Sequence, residues 1–218
     1  MIKTIIHKYR NYDAKIIGFR VFILLFYLIG IVGIFNTWSS LFFIKLTPLA
    51  LILSTVILFL FHKNFNVKTF IAFFVVIMFG FIIEIIGVNT GYIFGEYEYG
   101  HTLGIKIIGT PIIIGINWLL MIYLSSSIFQ FIKNRYLKIF FASIFMVIYD
   151  LILEQVAPKL DMWQFENGTA PIKNYVAWFI ISIIFHTIFQ FFKINTQNRL
   201  ASTILIAQIL FFGILLLL

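Results

Sequence analysis

The chain has no cysteine, so disulfides, thiolate metal sites and cysteine nucleophiles are excluded together. Charge is scarce: Asp, Glu, Lys and Arg make up 11% of the 218 residues, against roughly a quarter in soluble domains. No metal-ligand spacing of the His-x-x-x-His type is present, nor a phosphate loop or a Gly-x-Ser-x-Gly elbow. No metal site is therefore expected. What the chain does have is apolar mass, with 62% hydrophobic residues including 28 Phe and a mean hydropathy of +1.06. A water-soluble fold cannot hide that much apolar surface, so most of it must face lipid.

At about 20 apolar residues per span, seven helices use roughly 140 residues, which leaves short connections and no room for a separate soluble domain. The expected architecture is all-α: one polytopic membrane domain over residues 1–218, with about seven transmembrane helices. The apolar runs are Ile16–Asn36, Leu41–Phe61, Val67–Asn89, Ile107–Ile132, Leu137–Ala157, Ile172–Phe192 and Leu200–Leu218. Met1–Lys15 has the charge of a signal-peptide leader. The apolar stretch after it is too long and lacks a small-residue cleavage site, so an uncleaved signal anchor is expected.

Basic residues set the orientation. With the N-terminus inside, twelve of sixteen Lys and Arg fall on the inner side, and only Lys45, Lys106, Lys159 and Lys173 fall outside. That bias predicts an N-in, C-out, multi-pass protein of the inner (cytoplasmic) membrane. The net charge of +8 is then accounted for by topology and anionic lipid, and no nucleic-acid partner is implied.

The acids show the opposite bias. Only Asp13 lies inside, Glu96, Glu98, Asp161 and Glu166 fall in outer loops, and Glu84, Asp150 and Glu154 fall within the outer third of expected helices. A carboxyl in a membrane helix costs several kcal/mol at the centre and usually faces the bundle interior. Asp150 and Glu154 are four apart and share one helix face. A single acid near the interface can simply snorkel or cap a helix. Three at one level, beneath four more in the loops, favour a shared polar cavity.

Two helical hairpins carry these acids and suggest an internal repeat. Both outer loops are aromatic and acidic, and both return through a Gly-Thr-Pro element, Gly109-Thr110-Pro111 and Gly168-Thr169-Ala170-Pro171. Each Pro is followed seven residues later by a Trp, Trp118 or Trp178. Parallel repeats of this kind place sites at the repeat interface. Asn117, near the midplane, reads as hydrogen-bonding glue between helices. Asn174 could line the cavity rim. His101 reads as an exposed loop residue, and His186 lies toward the inner end, away from the acids.

Carboxyls in an oily cavity repel one another and resist ionisation, so at least one of the three should hold a proton near neutral pH. An acid and a base then stand side by side. Tyr and Trp faces could stabilise a developing cation. Acid, base and aromatic walls suit addition of water to an alkene, or its reversal, on a substrate arriving from the bilayer. A trisubstituted alkene giving a tertiary cation is the plausible target, although position and composition do not single out this reaction.

The stretch from Glu84-Ile-Ile-Gly through Tyr92, Phe94, Gly95-Glu96-Tyr97-Glu98-Tyr99, Leu103-Gly104, Gly109-Thr110-Pro111 and Asn117-Trp118 resembles the membrane-integral carotenoid 1′,2′-hydratases of bacteria and haloarchaea. So does Asp150-Leu-Ile-Leu-Glu154, followed by Trp163, Pro171, Asn174 and Trp178. The likeness covers about residues 80–180. It implies an enzyme adding water to the terminal double bond of an acyclic carotenoid such as lycopene or γ-carotene, without a cofactor. On that reading Asp150 donates the proton, Glu84 orients water or stabilises the cation (roles that could be exchanged), and Glu154 tunes the pair. Tyr97, Tyr99, Trp118, Trp163, Asn174 and Trp178 would line the end-group pocket. The implied partners are a carotenoid from the bilayer, membrane lipid and other carotenoid enzymes. Two other classes stay open: a membrane carrier of lipid or cation, and a prenyl-transferring enzyme, since Asp150-x-x-x-Glu154 resembles one Mg²⁺-diphosphate motif.

Overall fold

The computed structural model describes residues 2–218, with side chains from Asp13 onward. Lys3, Lys8 and Arg10, which entered the orientation argument, thus have side chains outside the described residues. The described residues form eight α-helices: α1 (Ile2–Phe35), α2 (Ser40–Lys45), α3 (Thr47–Leu60), α4 (Val67–Thr90), α5 (Ile113–Ile128), α6 (Arg135–Val156), α7 (Ile172–Phe191) and α8 (Ala201–Leu215). Four short strands join them: β1 (Tyr97–Tyr99), β2 (Lys106–Ile107), β3 (Thr110–Pro111) and β4 (Trp163–Phe165). Four helices are long and apolar enough to cross a membrane, over Asp13–Phe35, Val67–Thr90, Arg135–Val156 and Ile172–Phe191. The other three apolar helices, α3, α5 and α8, have 14, 16 and 15 residues, or about 21–24 Å at 1.5 Å per residue.

Two expected helices are corrected. The run Leu41–Phe61 is broken at Leu46, because Pro48 sits in the first turn of α3. Its ring cannot coexist with a continuing helix, and its nitrogen has no hydrogen to donate. The run beginning at Ile107 does not become helical until Ile113. Before that, β2 and β3 pair antiparallel with Ile107 opposite Thr110. Ile108 and Gly109 between them both have positive φ, +49° and +79°, as the favoured two-residue hairpin turn requires. Hydropathy alone cannot see this turn, since Ile108 is as apolar as its neighbours.

Local signals set the remaining ends. The Asn66 side chain accepts the Thr69 N–H at the start of α4, and that of Asn134 accepts from Tyr136 and Leu137 at the start of α6; each satisfies otherwise orphaned donors. Gly91, at φ +65°, closes α4 in the left-handed conformation, which glycine adopts at no steric cost.

Helix α5 is the hub. It packs against α3, α4, α6, α7 and α8 and is buried along most of its length, including Ser125, Ser126 and Ser127. Glycine permits its closest approach to α4: a Cβ on Gly115 would lie 2.5 Å from the Ile77 carbonyl oxygen, and one on Gly80 would lie 2.9 Å from Trp118. Over the end of the bundle where α4 and α6 finish and α7 begins, β1 and β4 pair antiparallel. The Gly100 N–H donates to the Met162 carbonyl and Thr102 Oγ1 to the Leu160 carbonyl. The two hairpin loops therefore form one interlocked cap.

Gly115→Ala should lower the thermal unfolding midpoint in detergent, by an overpacking cost of about 1–3 kcal/mol. Gly213→Ala, where nothing lies within 4 Å of the added carbon, should leave it nearly unchanged.

Candidate active site

Beneath the cap, three carboxyls converge without a cation. Glu84 lies six residues before the end of α4 and Asp150 six before the end of α6, with Glu154 one turn further along α6. Asp150 is fully buried, Glu84 is 4% exposed and Glu154 is 9% exposed. Among the described residues the only salt bridge is Arg199–Asp13, elsewhere in the bundle. Charge on the three acids can thus be offset only by hydrogen-bond donors, and uncompensated burial of a carboxylate would be very costly.

The donors come mostly from the cap and from aromatic rings. Tyr97 and Tyr99 both donate to Glu84 Oε2, at 2.6 and 2.8 Å. Trp118 Nε1 donates to Glu84 Oε1 at 2.9 Å. Three donors around one carboxyl suit an ionised acceptor. Burial, and next the Glu84 charge, push both phenols well above their ordinary range, so they act as neutral donors at any physiological pH. Strand alternation explains their role: Tyr97 and Tyr99 point to one face of β1, while Glu98 between them points to the other.

The second acid set is held differently. Asn174 Nδ2 donates to Asp150 Oδ2 at 2.9 Å and to Glu154 Oε1 at 3.3 Å, so one amide nitrogen bridges the two acids. Trp163 Nε1 donates to Glu154 Oε2 at 3.2 Å. Asp150 Oδ1 has no hydrogen-bond partner among the described residues.

Glu84, Glu154, Tyr97, Tyr99, Asn174 and the Trp rings bound a common chamber. Its free volume is about 30 Å³, enough to admit water but far too small for a carotenoid end group. Trp118 and Trp178, each seven residues after its proline, stack at 4.4 Å between ring centroids, so the two hairpins meet here at corresponding positions.

All nine residues singled out from the sequence come together here, but not in the expected order of proximity. Asp150 does not line the chamber; it sits one hydrogen bond behind it, through Asn174. Tyr97, Tyr99, Trp118 and Trp163 are partners of the acids as well as wall. Asn117, read as interhelical glue, does line the chamber, as do Phe94, Ile114 and Phe165. Phe94 and Phe165 belong to the two aromatic, acidic loops, but no sequence signal separates Ile114 from the many other apolar residues. Of the loop acids, Glu96, Glu98 and Glu166 border a separate open groove, and Asp161 Oδ2 accepts the His101 N–H within the cap. His186 joins Ser125 and the Ser182 carbonyl in a knot apart from the chamber.

No curated protein and no solved structure matches the chain significantly. A family model described as "carotenoid biosynthesis protein" does match, over residues 46–218. That span contains every residue of the chamber, and it extends the resemblance well beyond the two motif-bearing hairpins. The chain belongs to the carotenoid biosynthesis protein family.

Proposed function

We propose that the protein is a hydratase that adds water to the terminal trisubstituted double bond of an acyclic carotenoid end group. The observation that carries this reading is the division of the acids into two differently held sets on one chamber. Glu84, with three donors, is the acid best supported as a carboxylate. The Asp150–Glu154 pair, joined through one amide and with Asp150 Oδ1 unpartnered, has fewer donors than two charges would need, so one of the two acids holds a proton.

In the proposed reaction that proton leaves the pair from the Glu154 side and bonds to the CH carbon of the alkene. The π electrons form the new C–H bond and leave a tertiary cation on the neighbouring carbon. Glu84 and the stacked Trp118 and Trp178 stabilise this cation through charge and ring faces. A water oxygen then bonds to the cationic carbon. Its surplus proton passes to Glu84 and returns across the chamber to the Asp150–Glu154 pair, which restores the starting state. Asp150, placed behind the wall, positions Glu154 through the Asn174 amide that both acids accept from, while Glu154 presents the proton; the sequence reading gave these two the opposite emphasis. A chamber with room for water but not for an end group suits the nucleophile. The much larger end group must enter from the membrane by parting the walls.

Replacing Glu84 by Gln, Glu154 by Gln or Asp150 by Asn should each abolish the hydroxylated pigment in a lycopene-making host while the protein still accumulates in membranes. Mass analysis for the gain of one water is the check, and normal product from a variant removes that residue from the mechanism. Tyr97→Phe and Tyr99→Phe each delete one hydrogen bond to a charged group, worth about 1.5–3 kcal/mol. Each should slow initial hydration in isolated membranes by roughly 10-fold to 100-fold, without loss of folded protein.

A further inference from the structure

Away from the acids, a groove of about 100 Å³ lies between α1, the α2–α3 corner and α8. It shares no lining residue with the acid chamber. Its walls are nearly all apolar, with Phe26, Ile34, Phe43, Leu51, Phe211 and Phe212 contributing the larger side chains. Thr47 also lines it, but its hydroxyl is bonded to the Ile44 carbonyl at 2.7 Å. Gln208 is the exception. It is 1% exposed, and its Nε2 donates to the Tyr27 hydroxyl at 3.2 Å, which is in turn bonded to Ser54 Oγ at 2.8 Å. Gln208 Oε1 has no partner among the described residues.

An amide end left unpaired in an apolar setting is costly, and a ligand that pairs it gains by that amount. If the amide is turned over, its NH₂ becomes the unpaired end instead. A hydroxyl serves either orientation, because it both donates and accepts. A carbonyl or a hydrocarbon does not. The volume suits a short branched end group rather than a lipid headgroup, and no cation lines the groove to hold a phosphate.

We propose that this groove is a second binding site, which takes the hydroxyl-bearing end of an isoprenoid chain with its alcohol on Gln208. The alcohol follows from the groove itself. Naming the chain isoprenoid rests on the proposed hydration, whose product carries such an end.

The test uses the full chain purified in detergent, with 2,6-dimethyloctan-2-ol and the matched hydrocarbon 2,6-dimethyloctane as probes, and bound fractions read by native mass spectrometry. Wild type should bind the alcohol about fivefold to tenfold more tightly than the hydrocarbon. Gln208→Leu, which leaves the Tyr27–Ser54 bond in place, should bring the two affinities together. Ala50→Phe, which fills the groove, should abolish both, and Glu84→Gln should change neither. Equal affinities in wild type, a preference that survives in Gln208→Leu, or a preference lost in Glu84→Gln would overturn the proposal. Neither probe has a double bond, so the outcome stands apart from whether hydration occurs at the acids.

Discussion

Burying three carboxyls in an apolar helical bundle without a cation is the constraint on which the rest of this structure depends. The desolvation cost of a carboxylate is large, and here it is met by oriented neutral donors. Two phenols and an indole serve Glu84, while one amide and a second indole serve the α6 pair. Four of those five donors belong to aromatic side chains, which offer a polar tip while burying a large apolar body. The same rings can thus satisfy the acids and form an oily wall around them.

The supply of donors explains why the cap is built as it is. Tyr97, Tyr99 and Trp163 reach the acids only because β1 and β4 pair in one register, with Tyr99 opposite Trp163 and Tyr97 opposite Phe165. A one-residue slip would turn Glu98 toward the chamber and the tyrosines away. Register, in turn, is held by the bonds from Gly100 and Thr102 to the turn after α6. From below, α5 sets the spacing. Its glycine contact with α4 places the Trp118 ring against both Glu84 and Trp178.

The acid chamber and the groove beside α8 differ in kind. Of the oxygens on the three acids, only Asp150 Oδ1 lacks a hydrogen-bond partner among the described residues. In the groove beside α8 the pairing is incomplete at a neutral amide, Gln208, which can exchange no proton.

Much of this was legible without coordinates. Composition and apolar run length showed a membrane protein, since no soluble fold could bury so much hydrocarbon. The motifs around Glu84 and Asp150 carried the family, and the depth of the acids marked them as a set. The breaks at Leu46 and at Ile108–Gly109 were not legible from hydropathy, because backbone geometry, not polarity, makes them. Nor was the demotion of Asp150 behind Asn174, the bridging role of that amide, or the trio of Tyr27, Ser54 and Gln208, whose members are up to 181 residues apart. Sequence by itself determined which residues are too costly to leave unpaired in lipid. Tertiary structure alone decided which partner each one found, because a hydrogen bond needs contact within about 3 Å and only packing brings distant segments that close.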